Sequence, residues 1–186
     1  ESHVDRSIDG PAEFIETNKE NRFFLYAAFN APHAPIQAPK KYYDELSHIE
    51  NHSQRVYYAM IKSLDDAVGT ITKKLQELGL EENTIIYFTS DNGGASYTKL
   101  MDNTPFKGGK ITHFEGGQVV PFCQQWKGQI PPQQVFEKSI SLMDIFTTSA
   151  VAAQAELPKK KIDGVDLLPF VKKLTVIGII GNTHGV

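Results

Sequence analysis

The 186 residues are 40% hydrophobic and 22% charged, which fits a soluble globular protein long enough to bury a core. A net charge of -3 argues against a general nucleic-acid binder, which carries a basic patch or stripe. One cysteine excludes an internal disulfide and a multi-cysteine zinc site, and no apolar run reaches the roughly eighteen residues of a membrane span. The chain opens on Glu1 with no initiator Met and no signal-like segment, so a processed, truncated or partial chain is expected.

Glu1 to Gly10 is polar, with His3 and Asp5 expected at the surface. Pro11 suits the first turn of a helix running to about Lys19, with Phe14 and Ile15 facing inward. Arg22–Phe29, RFFLYAAF, reads as a buried strand, since parallel strands covered on both faces are continuously apolar. Prolines 32, 35 and 39 then hold the next segment extended and bar a helix. His52–Leu78 is the clearest helix: Val56, Met60, Leu64, Ala67, Val68, Ile71, Leu75 and Leu78 keep helical spacing, and Gly79 supplies the C-cap. Asp65 and Asp66, in its middle, read as a solvated face rather than a catalytic pair.

An acidic turn, Leu80–Asn83, leads into Thr84–Phe88, a β-branched and aromatic run without charge that predicts a buried strand. Strand, long helix and strand make a βαβ unit, with a right-handed crossover expected. Val119–Gln125 predicts another strand, in which Cys123 is expected as a buried, inert thiol. Ser141 is positioned to cap a helix over Leu142–Ala153, with Leu142, Ile145, Phe146 and Val151 inward. Lys159–Lys161 reads as a solvated loop, and Ile162–Leu168 as a turn into a short apolar segment.

The chemistry-bearing stretch is Thr84–Gly117. Its strand ends abruptly in Ser90-Asp91-Asn92-Gly93-Gly94, and in open α/β sheets the loop at a strand's carboxyl end is where ligands bind. Asp91 and Asn92 offer hard oxygen donors suited to Ca²⁺ or Mg²⁺. Lys110 follows Gly108-Gly109 and precedes Glu115-Gly116-Gly117; a lysine ammonium there can hold an oxyanion as a point charge. On local chemistry alone, a plain Asn-Gly turn and a solvated Lys-Gly-Gly-Lys loop stand equally open.

The order T-S-D-N-G-G, then G-G-K-x-T-x-x-E-G-G, then V-P and W-x-G resembles the sulfatase family of the alkaline-phosphatase superfamily. FFLYAAFNAPHAP resembles that family's strand and P-H-x-P loop. Ser63–Gly69 continuing to LGLEENTIIYFTSDNG, then SLMDIFTT and KIDGVDLLPF, extend the likeness from about Phe14 to Val171. It implies an α/β fold, a mixed, mostly parallel sheet flanked by helices, incomplete on its N-terminal side. Residues 1–173 would form a partial catalytic domain, and residues 174–186 a divergent tail resembling nothing in the family. The resemblance further implies that Asp91 and Asn92 bind a metal, Ca²⁺ before Mg²⁺, and that His33 and Lys110 contact the sulfate as catalytic residues. Glu115 reads as a partner of loop backbone, and His48, His52, His113 and His184 as residues outside the site. Typical members are periplasmic, secreted or lysosomal; the compartment of this chain stays open.

The sequence departs from the family where the reaction begins. Family members attack sulfur with a hydrated formylglycine, made from the Cys or Ser of C/S-x-P-x-R, through a covalent sulfoenzyme. Neither that motif nor the family's early pair of metal-binding Asp residues is present, and Cys123 is followed by Gln-Gln-Trp-Lys. Activity of this chain alone is therefore not expected. Three readings follow: part of a sulfate ester hydrolase, part of a phosphonate monoester hydrolase or phosphodiesterase, or a non-catalytic chain that keeps the fold. A sulfate ester or sulfated glycan is the expected ligand, with aryl, steroid and glycan sulfates all open, and neither nucleic acid nor a membrane span is expected. Open strand edges at Phe29 or Phe88 predict self-association.

Overall fold

The computed structural model describes residues 3–173, so the tail expected over 174–186, with His184, lies outside the described residues. The chain forms two compact units. One joins the residues up to Leu80 with Ser90–Pro121; the other joins Glu81–Thr89 with the residues from Phe122 onward.

In the first unit, α1 (His3–Thr17) packs on α3 (His52–Glu77), and the short α2 (Lys40–Glu45) packs on α3 as well. The apolar spacing read from the sequence sets the α3 face: Ala59, Met60, Ser63, Ala67 and Leu75 are buried, while Asp65 and Asp66 face solvent. Asn51 caps α3 by accepting from the Gln54 N–H at 3.1 Å, and Gly79 follows its end at φ +67°. Arg55 closes the end of α2 from α3, its Nε donating to the Tyr43 carbonyl at 2.7 Å. Helix α1 starts about two turns before Pro11, which lies inside it rather than at its first turn. Ala12 and Ile15 downstream are buried, whereas Phe14 is more exposed than expected and meets Phe23 edge-on. Lys74 of α3 reaches Glu16 of α1 at 3.1 Å.

Arg22–Phe29 is extended but is not a strand in the described structure. Exposure alternates with period two: Phe23, Leu25, Ala27 and Phe29 are half-buried, while Phe24 and Tyr26 stand in solvent. No backbone hydrogen bond joins this stretch to another described residue, and a strand needs a ladder partner.

The second unit holds the one ladder among the described residues. Strand β1 (Ile86–Thr89) pairs antiparallel with β2 (Phe122–Gln125), Phe88 opposite Cys123. The parallel pairing of a βαβ unit is not among the described ladders. Cys123 is exposed rather than buried, because alternation along β2 turns Phe122 and Gln124 toward the packed side. Leu167, Leu168 and Val171 form a core with Ile85, Phe122, Trp126, Ile130, Phe136, Ile140 and Ala152 around it.

Helix α5 (Met143–Ala152) buries a polar face in place of most of its expected one, Ile145 alone of the four expected inward residues being half-buried. Asp144, Thr147 and Thr148 are buried, while Leu142, Phe146 and Val151 are exposed. The cause is polar. Asp144 accepts from the N–H groups of Ser141 at 2.7 Å and Val165 at 2.8 Å, and the Thr148 hydroxyl accepts from the Leu167 N–H at 3.0 Å. The Ile162–Leu168 turn is thus held by its own backbone donors, which leads into α6 (Leu168–Val171). Among the described residues no helix is long and apolar enough to cross a membrane.

Two outcomes test this packing. Thr148→Val keeps the shape but orphans the buried Leu167 N–H, and should lower unfolding stability by about 1–3 kcal/mol in urea titration; an unchanged midpoint would contradict the lock. Lys19 and Lys74 hold the Glu16 carboxyl below its usual range. A depressed folded pKa adds stability above the unfolded pKa and loses it as pH falls through the folded value. Glu16→Gln should therefore be less stable than the parent at pH 7, with the gap narrowing as pH falls below the ordinary Glu range; a gap that did not change with pH would exclude the ion pair as the cause.

Candidate functional site

The loops carrying the candidate residues all lie in the first unit. Ser90–Gly94 leaves the end of β1, and its Ser90 hydroxyl donates to the Asn92 carbonyl at 3.0 Å. The Asn92 amide donates to the Gly93 carbonyl at 2.9 Å, which leaves Oδ1 as the acceptor it can offer a ligand. Asp91 is exposed, and its carboxylate has no bonding partner among the described residues. The pair is chemically suited to a hard cation, but it supplies two donors where Ca²⁺ takes six to eight oxygens. Among the described residues, no group of three or more His, Cys, Asp or Glu side chains could hold a metal ion.

Glycine packing joins the loops. The Gly93 N–H donates to the Gly117 carbonyl at 3.0 Å, the Gly116 N–H to the Lys107 carbonyl at 2.9 Å, and the Lys110 N–H to the Gly94 carbonyl at 3.0 Å. A Cβ at Gly93 would run into the Gly116 carbonyl, and one at Gly109 into the Gly94 carbonyl. The backbones approach too closely there for any side chain. Gly117 ends the triplet in α4 (Glu115–Gln118); the Glu115 side chain is exposed in its first turn and bonds none of the described loop residues, contrary to the expectation of a loop-backbone partner.

This packing fixes the backbone at Lys110, and the Lys110 side chain meets His33. The Lys110 ammonium lies 2.9 Å from His33 Nε2, across 77 residues of sequence. An ammonium only donates, so Nε2 accepts, and the ring proton sits on Nδ1, which donates to the Ala34 carbonyl at 2.9 Å. The His33 N–H also donates to the Asn30 carbonyl at 2.7 Å, which fixes the proline-bounded turn. Among the described residues, no hydrogen bond joins another histidine to this pair. His48 and His113 are exposed, and His52 bonds the Tyr43 hydroxyl at 2.9 Å.

The sequence offers Thr112 only as part of the G-G-K-x-T pattern, with no role, and does not single out Asn103. The Thr112 hydroxyl donates to the Gly109 carbonyl at 2.7 Å and accepts from the Gly109 N–H at 3.1 Å, closing a ring around Lys110. Ile111, inside that ring, holds φ +69° and is almost wholly exposed. A β-branched residue at positive φ is strained by about 1–2 kcal/mol. Asn103 donates from Nδ2 to both the Gly94 and Gly108 carbonyls at 2.9 Å. Upstream, the Thr104 hydroxyl and N–H both donate to Asp102, forming an Asx-type turn and holding that carboxyl below its usual range. The run Asp102-Asn103-Thr104-Pro105 signals a turn, but not which carbonyls Asn103 would reach.

Comparison with known proteins bears on the same residues. A family model described as Sulfatase matches residues 2–155. N-acetylgalactosamine-6-sulfatase of Mus musculus is 39% identical over 167 residues, which is 87% of this chain and 31% of that protein. Steryl-sulfatase of Mus musculus is 34% identical over 175 residues, 90% of this chain and 27% of the other. The crystal structure of Ps i-CgsB in complex with k-i-k-neocarrahexaose superposes with a TM-score of 0.84 at 33% identity, covering 89% of this chain and 37% of that one. The chain thus spans about a third of the length of these relatives or less.

Strain at Ile111 gives a local test of the Lys110 ring. Asn tolerates the left-handed region, so Ile111→Asn should raise unfolding stability by about 1 kcal/mol in urea titration, little burial being lost at an exposed position. A lower midpoint would mean that residue 111 does not hold this conformation.

Proposed function

Because this chain belongs to the sulfatase family, we propose that it forms part of a sulfate ester hydrolase, in which His33 and Lys110 hold the sulfate group. The observation that carries the reading is the 2.9 Å approach of Lys110 Nζ to His33 Nε2, which groups a fixed cation with a titratable donor at one spot. Two such groups can bind sulfate oxygens and offset the charge that gathers on them as the S–O bond breaks. A protonated His33 ring would give up the bond from Lys110, and its Nε2 would turn from acceptor to a second donor toward the sulfate ester.

Asp91 and Asn92 are the residues proposed to hold a cation, Ca²⁺ before Mg²⁺, and the exposed carboxylate with the free Asn92 Oδ1 supports this. Bound there, the cation would supply Lewis-acid neutralisation of sulfate charge. The sequence lacks C/S-x-P-x-R, so attack on sulfur is not assigned to any residue of this chain, and we read the chain alone as inactive. The mixed, mostly parallel sheet of the family is likewise proposed for the whole protein. Sulfated glycans are the favoured substrate class, on the strength of likeness to an N-acetylgalactosamine-6-sulfatase and to a structure in complex with neocarrahexaose.

Calorimetric titration of the chain with inorganic sulfate tests the reading. Binding is expected, and Lys110→Ala and His33→Ala should each weaken it by about tenfold, as for loss of one charge-assisted hydrogen bond. Added Ca²⁺ should bind only weakly, and Asp91→Ala should abolish that binding. Sulfate affinity untouched by both substitutions would remove the reading, and tighter binding of phosphate than of sulfate would favour a phosphoryl-transfer enzyme instead.

A further inference from the structure

The Asn103 amide has two N–H donors, and each finds a carbonyl at 2.9 Å: Gly94 on the Asp91–Gly94 loop and Gly108 on the lysine loop. The same Gly94 carbonyl accepts from the Lys110 N–H at 3.0 Å, and Lys110 lies two residues beyond Gly108. A planar amide satisfies both acceptors only when they stand at a fixed separation, so it works as a spacer between the loops. Water could satisfy either carbonyl but would not fix the distance between them. The other side-chain donor to Gly108, the Ser96 hydroxyl at 3.3 Å, is longer and holds one carbonyl only.

We propose that Asn103 is a positioning residue that sets Lys110 at its contact with His33 by clamping the Gly94 and Gly108 carbonyls. The inference rests on the reading of Lys110 and His33 as the sulfate-binding pair. Asn103 itself hydrogen-bonds neither of them. It acts through backbone, and its loss should let Lys110 move while the helices stay folded.

The test is the imidazole ¹⁵N–¹H spectrum of His33 in the full chain, assigned with Lys110→Ala, with circular dichroism to report folding. The parent should show a neutral ring protonated on Nδ1 with Nε2 accepting. A parent without that pattern would overturn the Lys110–His33 pair, and the clamp with it. Asn103→Ala and Asn103→Asp, the latter turning carboxylate oxygens toward both carbonyls, should lose the pattern as Lys110→Ala does. Gln54→Ala, which removes the bond to the Lys99 carbonyl in the same unit, should keep it. Folded Asn103 variants with the parent pattern would overturn the positioning role alone, and Asn103→Ser carries the same test if the first two variants do not fold.

Discussion

The Gly94 carbonyl is the point on which the loops of the first unit converge. Three donors meet there: the Lys110 N–H, the Asn103 amide and the Ser96 N–H. This gathering requires bare backbone on both sides, since a Cβ at Gly109 would occupy the place of the Gly94 carbonyl. The glycines therefore do not mark a loose segment. They let two loops touch main chain to main chain and so fix the backbone at Lys110, whose side chain meets a histidine far away in sequence. Ile111, held at positive φ next to Lys110, shows that the geometry is imposed against local preference.

The second unit relies on a different device. Its buried helix face is polar: Asp144 and Thr148 accept the N–H groups of the turn that carries Leu167 and Leu168 into the core. Asp144 and Thr148 are stable inside because each finds its partners, whereas the Thr147 hydroxyl on the same face is buried with none among the described residues. The apolar side chains of the same helix consequently point outward, with Phe146 and Met143 both more than half exposed.

This contrast explains what could be read from the residues alone. Helix α3 was legible because its period persists for 26 residues and Gly79 marks its end, while the Asn51 cap at its start was not read from the residues. The β1 and β2 segments were legible from composition, though their pairing direction was not. The α5 face was misread because hydropathy ranks Phe146 above Thr148 and carries no information about the Val165 and Leu167 donors. Arg22–Phe29 has the apolar composition of a strand, but a ladder belongs to two segments and cannot be read from one. At the candidate site, resemblance pointed to His33 and Lys110, yet no local pattern predicts their contact. Asn103 stayed hidden because a turn signal says how the chain bends, not what a side chain will reach.

The central claim is that loop packing builds an oxyanion site from Lys110 and His33. Crystals of the chain soaked in selenate, a heavier analogue of sulfate, address it most directly through anomalous scattering. The account predicts a selenium peak with its oxygens in hydrogen-bond reach of both Lys110 Nζ and His33 Nε2. Selenate bound elsewhere, with the Lys110–His33 contact intact and open to solvent, would contradict it.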